Sequence, residues 1–361
     1  MSAPDVIVIG GGLAGCSVAW HLASTHRVLL LEQGDHPGGE ATAQNAGMLR
    51  TMGEDPTERA LALRTQAWME APPCQDFPEP VSTRTGAVLA LACDPDHLSD
   101  AVAHLRARGE VLEDLAKPAE VAPILAGAPL ARAWYQPTAR IVDPHALNQG
   151  FLAGLRRMGG QVRAGVQAVD IASGRVTLAS GEQLCAEHVV LATGAWSAQL
   201  CARMGIRRSF VPIRRALMHS GPHPLYSPEH PWTWIDDVGV YVRPESGGWL
   251  MSACDERPDY PSPGPGSQGP VPEATRALLS DKLQRYLPAL AQARPAGGWT
   301  GLRTFAPDRR PALGPDPERP GLWWAAGLGG FGVSCSVGVG QAISAWIRGE
   351  TTPWLHAGSV N

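Results

Sequence analysis

Glycines occupy positions 10, 12 and 15 of the run Gly10-Gly11-Gly12-Leu13-Ala14-Gly15, and a carboxylate follows at Glu32. That spacing suits the binding of a dinucleotide. Gly10 permits a tight turn, Gly12 lets backbone approach a pyrophosphate, and Gly15 lets a helix pack close to the preceding strand. The N-terminal N–H groups of that helix then aim at the phosphates. About 20 residues into the unit, a carboxylate can accept hydrogen bonds from both ribose hydroxyls, and it would repel a 2′-phosphate. The positioning elements occur in order. Asp5 to Ile9 reads as a buried parallel strand, Cys16 to Ala23 as the helix, and Arg27 to Leu31 as a second strand ending at Glu32.

Composition limits the alternatives. A chain of 361 residues suits one large or two intimately joined domains. Its net charge is −4, and its 30 basic residues form no long block, so nucleic acid is not an expected partner. The seven cysteines are scattered, with no C-x-x-C, so neither a disulfide framework nor a structural metal is expected. No secretory leader is read before Asp5, and no apolar run is expected to reach the roughly 18 residues of a membrane span. A cytoplasmic protein is the resulting expectation. Homo-oligomer formation is compatible with the sequence, which does not determine it.

Further along, a small-residue loop runs from Gly34 to Gly47, and a helix is expected around Glu58 to Glu70. A strand is expected at Gly86 to Ala92. Asp143 to Met158 reads as a helix with Asp143 capping and Pro144 in its first turn. Strands follow at Gln161 to Val169, Gly174 to Leu178 and His188 to Thr193. Arg214 to Met251 alternates as an antiparallel sheet would, Pro258 to Pro272 reads as a Pro/Gly/Ser-rich connection, and Ala274 to Leu290 as a helix. The expected fold is α/β. A discontinuous Rossmann-type domain comprises residues 1–75, 140–210 and 297–361, and an α+β substrate domain built on an antiparallel sheet comprises 76–139 and 211–296.

Two later segments add to the dinucleotide unit. His188 to Leu191 leads into Ala192-Thr193-Gly194-Ala195-Trp196, a buried strand with a tight exit. Trp323 to Gly327 leads into Leu328-Gly329-Gly330-Phe331-Gly332-Val333, followed by a helix expected from Ser336. Such glycine density sets backbone N–H groups against a ligand, and the helix N-terminus can hold developing negative charge. With Asn45 to Leu49, Val142-Asp143-Pro144, Tyr241 to Pro244, Gly301-Leu302-Arg303 and Pro307-Asp308, these pieces resemble the D-amino-acid oxidase/glycine oxidase/sarcosine oxidase family across nearly the whole chain.

The resemblance implies FAD as cofactor, bound around Gly10, Gly12, Leu13, Ala14, Gly15, Glu32 and Gln33. Ala41, Thr42, Asn45, Ala46, Gly47 and Met48 would continue that site, the last three along the isoalloxazine. Val166 would flank the adenine, with Ala192, Thr193, Gly194 and Trp196 nearby. Gly327, Gly329, Gly330, Phe331, Gly332 and Val333 would face the pyrimidine edge. No cysteine neighbours Arg303 and Thr304, where sarcosine-oxidase-like members carry a covalent link, so a noncovalent flavin is expected. Arg303 corresponds to the family's carboxylate-binding arginine, Arg50 to a second one used by sarcosine oxidases, and Tyr241 to a tyrosine closing the pocket.

The chain departs from the family at Leu328 and Gly330, where glycine oxidase has histidine and arginine, and at Ser334, where sarcosine oxidase has lysine. It also lacks the lysine used for oxygen activation. Asp255 and Glu256 read as exposed turn acids, or as contacts to a cationic substrate tail. The implied activity is oxidation of a small amino acid or N-alkyl amino acid by hydride transfer to flavin. The imine then hydrolyses, and oxygen is reduced to hydrogen peroxide. The alternatives are an amino-acid dehydrogenase feeding a quinone or protein carrier, a polyol-phosphate dehydrogenase, and a non-catalytic flavin-binding subunit. The polyol-phosphate reading needs a basic pocket, whereas Arg207-Arg208, Arg214-Arg215 and Arg309-Arg310 read as solvated faces.

Overall fold

The computed structural model describes residues 3–172 and 174–355. Val6–Ile9, Val28–Leu31 and His188–Leu191 are short, apolar and buried almost throughout. Strands apolar on both faces are stable only with cover on each side, as in a parallel sheet. They form the middle of a six-stranded sheet ordered Ala312–Pro315, Leu322–Ala326, His188–Leu191, Val6–Ile9, Val28–Leu31, Gln161–Arg163. Neighbours run parallel, except that Ala312–Pro315 is an antiparallel edge strand. Parallel direction brings the carboxyl ends of three strands to one edge. Gly10, Ala192 and Gly327 therefore leave the sheet side by side, where open α/β sheets bind ligands.

Helix Gly332–Ile347 packs against both Leu13–Leu22 and Pro56–Met69, and it and Leu13–Leu22 cover this sheet. A Cβ on Gly338 would press on the backbone of Leu61, so the close packing of two of these helices depends on that missing side chain. The segment Gly329–Ile347 corrects one expectation, since its 19 residues are long and apolar enough to cross a membrane. In the fold most of this segment is buried inside the protein, as in a core helix.

The second sheet is ordered Arg257–Pro258, Val211–Ser220, Gly248–Ser252, Val240–Glu245, Trp232–Ile235, Ala87–Leu91, Arg132–Gln136, Glu113–Asp114, with Pro295–Phe305 also paired to Val211–Ser220. It is antiparallel except between Trp232–Ile235 and Ala87–Leu91, which run parallel. Those two strands lie far apart in sequence, so no hairpin forces them antiparallel. Strand Pro295–Phe305 crosses the expected boundary at residue 297 and carries Arg303 in the second sheet toward the first.

Several elements differ in extent from expectation. The first helix begins at Leu13 and the last at Gly332, because glycine and small residues at an N-terminus do not prevent helical dihedrals. The expected strand Gln161 to Val169 divides into Gln161–Arg163 and Ala168–Ala172, which belong to different sheets. The expected helix Ala274 to Leu290 ends at Tyr286, two residues before Pro288. Asp143 caps its helix as expected, accepting a hydrogen bond from the Ala146 N–H at 2.9 Å.

Candidate active site

Gly10 has φ 108°, and a Cβ there would collide with the Ala192 carbonyl oxygen. Gly12 caps helix Leu13–Leu22 without a side-chain hydrogen bond of its own. Thr42 Oγ1 instead accepts the Leu13 N–H at 3.0 Å. The Ala14 and Gly15 N–H groups follow in the first turn, where no intrahelical acceptor exists. Glu32 is held at both oxygens. Oε2 accepts from Gly11 N–H and Oε1 from Gly34 N–H, each at 2.7 Å. A carboxylate anchored this way keeps unshared lone pairs for hydroxyl donors.

A cavity of about 420 Å³ runs from this turn along the sheet edge to Arg303. Lining it are Gly10, Gly12, Leu13, Ala14, Glu32, Gln33, Ala41, Thr42, Asn45, Val166, Ala192, Thr193, Gly194, Trp196, Gly327, Gly329, Gly330, Gly332 and Val333. The donor set fits a dinucleotide such as FAD, with a glycine turn, a fixed carboxylate and a helix N-terminus in one groove. No cysteine lines the cavity among the described residues.

Five expected cofactor residues do not line it. Gly15 packs against the Gly10 carbonyl instead. Gly47 makes a turn at φ 68°, and its carbonyl accepts from Val142 N–H at 2.7 Å. Ala46 and Met48 are packed with Trp234 and Tyr241 in the core of the second sheet. Phe331 is buried, with Arg50 over its ring.

The groove also has a cover that sequence reasoning missed. The Pro/Gly/Ser-rich connection folds over it, with Pro265 and Ser267 lining the cavity. Glu40 accepts from the Gly266 N–H at 2.6 Å and the Ser267 N–H at 3.1 Å, while Trp196 Nε1 donates to Ser262 O at 3.2 Å. Glu40 is more than 200 residues from its donors, so no local pattern signals the contact.

Arg303 stands opposite Ile213 in the strand pair, and Arg215 stands opposite Gly301. Positions two apart on a strand share a face, so both arginines rise from the same side. Arg303 donates to the main-chain oxygens of Gln44 and Leu302, and it has no carboxylate partner among the described residues. Burial pulls its guanidinium down to about 10, partly offset by Tyr241 and reinforced by repulsion from Arg215. It is still charged at neutral pH. Tyr241 is buried against Trp234, with ring centroids 4.7 Å apart, and burial pushes its hydroxyl up to about 12. It does not line the main cavity.

Arg50 departs from its expected role. Its Nη1 lies 2.8 Å from Asp236 Oδ1, so its charge is already matched. Asp236 Oδ2 in turn meets His97 Nε2 at 3.0 Å, and His97 Nε2 lies 3.3 Å from Glu54. Ser334 Oγ accepts the Arg50 backbone N–H at 2.9 Å, which ties the loop to the last helix.

Asp255 and Glu256 are not free turn acids. Asp255 accepts from Thr275 Oγ1 at 2.9 Å, and Glu256 pairs with Arg215 at 2.6 Å and with Arg309 at 2.5 Å. Nor are Arg214 and Arg215 solvated. Their side chains are only 17% and 14% exposed, held by Asp259 and Glu256. Arg310 pairs with Asp55 at 3.4 Å. Arg214, Arg215 and Arg310 thus each have an acidic neighbour.

The chain matches the family described as DAO, FAD dependent oxidoreductase, over residues 5–346. Glycine oxidase of Geobacillus kaustophilus is 30% identical to it, over 96% of this chain and 94% of its own. The crystal structure of glycine oxidase from that organism has a TM-score of 0.84 at 27% identity, covering all of this chain and 98% of the other. The crystal structure of L-proline dehydrogenase from P. horikoshii shares the fold, with a TM-score of 0.82 at 20% identity over 97% of this chain and 95% of its own.

Proposed function

The chain belongs to the DAO family of FAD-dependent oxidoreductases, and on that premise we propose that it oxidises the C–N bond of a small amino acid or N-alkyl amino acid. Arg303 carries this reading. A desolvated guanidinium with no carboxylate partner among the described residues, in the same cavity as the dinucleotide turn, is a receptor for an anion. The planar fork of arginine matches a carboxylate in a bidentate pair. The glycine oxidase similarity supports an amino acid as the source of that carboxylate.

FAD, when bound, supplies the acceptor for the two electrons leaving the substrate Cα–H. In the proposed site the Gly10–Gly15 turn would hold the pyrophosphate, Glu32 the ribose, and the Val166 backbone the adenine. The Gly327–Gly332 loop would meet the pyrimidine edge, and the absence of a cysteine among the described lining residues supports noncovalent binding. Arg303 fixes the substrate carboxylate and thereby orients the Cα. Trp234, Tyr241 and Met48 pack together in the apolar core of the second sheet and do not line the cavity. Placement supplies most of the rate, since the cofactor carries the bond chemistry. The amine loses one proton to solvent, water hydrolyses the imine, and dioxygen is the proposed final acceptor, giving hydrogen peroxide.

Anaerobic titration of the oxidised holoenzyme tests the reading. Glycine, sarcosine, D-alanine or proline is expected to bleach the flavin absorbance, and Arg303→Ala is expected to abolish that. Readmitting oxygen should restore the colour with hydrogen peroxide as product. Bleaching by glycerol phosphate alone would overturn the amine reading.

A further inference from the structure

Arg215 is the second cation on the sheet face that carries Arg303; it does not itself line the cavity, and its surroundings leave it incompletely used. Its Nη1 lies 3.4 Å from the point a Cβ on Gly330 would occupy, and Gly330 lines the cavity. Its Nε is buried without a hydrogen-bond partner. The charge of Glu256 is shared between Arg215 and Arg309, so one carboxylate faces two guanidiniums. Arg215 and Arg303 repel each other across the strand pair, which contributes to the lowered Arg303 value.

Resting on the amine-oxidation reading, we propose that the substrate is an amine bearing two carboxylates, with Arg303 binding one and Arg215 the other. In the register of the two strands, Arg215 and Arg303 are diagonal neighbours on one face, a relation that spaces residues about 7–8 Å apart. Two arginines rooted at that spacing on neighbouring strands can turn their guanidiniums to two carboxylates joined through one amine. Opposite Arg215 stands Gly301, over which the Gln44 side chain and Arg303 Nη1 pack, so the approach from the cavity to the Arg215 guanidinium is on the Gly330 side, where residue 330 has no side chain to fill it. A monocarboxylate such as glycine would leave the second buried cation with its half-share of Glu256. A dicarboxylate matches both charges.

Sarcosine and iminodiacetate test this, because the second differs from the first by a carboxylate on the N-methyl carbon. Anaerobic flavin reduction and steady-state turnover by the holoenzyme are expected to give a kcat/KM about tenfold or more higher for iminodiacetate. Arg215→Met should reduce the iminodiacetate-to-sarcosine ratio by about the same factor, and Arg215→Lys should recover part of it. Arg303→Ala should depress both substrates. Retained FAD absorbance and melting temperature would show that each variant folds. As an independent check, Glu256→Gln should raise the preference for iminodiacetate by freeing the Arg215 charge. Equal turnover of the two amines by the unaltered protein, or a ratio unmoved by both Arg215→Met and Glu256→Gln, overturns the dicarboxylate assignment and leaves the amine reading standing. Failure of every amine to reduce the flavin overturns the amine reading itself.

Discussion

Arg50 is bound to Asp236 across 186 residues of sequence, at 2.8 Å, while its guanidinium carbon lies 4.0 Å from the ring centroids of both Trp234 and Phe331. The two side chains are 13% and 11% exposed. The pair therefore joins the loop after Met48–Leu49 to the turn after strand Trp232–Ile235 and holds an aromatic wall in place. Asp236→Asn leaves a mostly buried cation unmatched, at a cost on the order of 3 kcal/mol. Arg50→Met combined with Asp236→Asn should recover part of that loss, because no uncompensated charge remains. Urea denaturation of the single and double variants measures both. Equal stabilities for all of them would show that the pair holds nothing together.

Arg303→Lys keeps a positive charge but removes the fork. Losing one charge-assisted hydrogen bond costs about 1.5–3 kcal/mol, or about 10- to 150-fold in kcat/KM for an amino-acid substrate. The flavin absorbance of the holoenzyme should persist, since Arg303 holds substrate in the proposed site. Unchanged kinetics would remove Arg303 from the binding role.

Gly10→Ala tests the dinucleotide turn. The added methyl meets the Ala192 carbonyl at a backbone angle that side chains avoid. The variant is expected to purify without FAD or to melt at lower temperature, and thermal denaturation with flavin fluorescence reads both. Full FAD content at an unaltered melting temperature would show that the turn tolerates a side chain.

Glu58 makes stability depend on pH. Burial pushes its carboxyl up to about 8, against an ordinary value of 4.5, with nearby Arg50 opposing the shift. Between those values the folded protein holds a proton that the unfolded chain has released. The contribution of this group is therefore fully present below about 4.5 and lost as pH rises to about 8. Glu58→Gln should flatten that slope and stabilise the protein at pH 9 by on the order of 2 kcal/mol. Parallel pH–stability slopes for variant and parent would refute it.

The dinucleotide unit was legible because its determinants are local. A β-branched strand, a turn only glycine can make, a helix and an acid lie within 28 residues, and hydrogen bonds to neighbouring backbone fix their geometry. The same holds for the helix that Asp143 caps. Ionic pairing is different. Nothing near Arg50 signals Asp236, nothing near Glu256 signals that it divides itself between Arg215 and Arg309, and nothing near Arg303 signals that it has no carboxylate partner among the described residues. Three arginines thus have three different states of charge compensation. For Arg215 and Arg303, the register of Val211–Ser220 against Pro295–Phe305 sets which groups they meet. The sequence by itself determined the cofactor unit, because backbone conformation is set by near neighbours. Only the tertiary structure decided which guanidinium is free to receive a carboxylate, because compensation of a buried charge depends on groups brought close from distant parts of the chain.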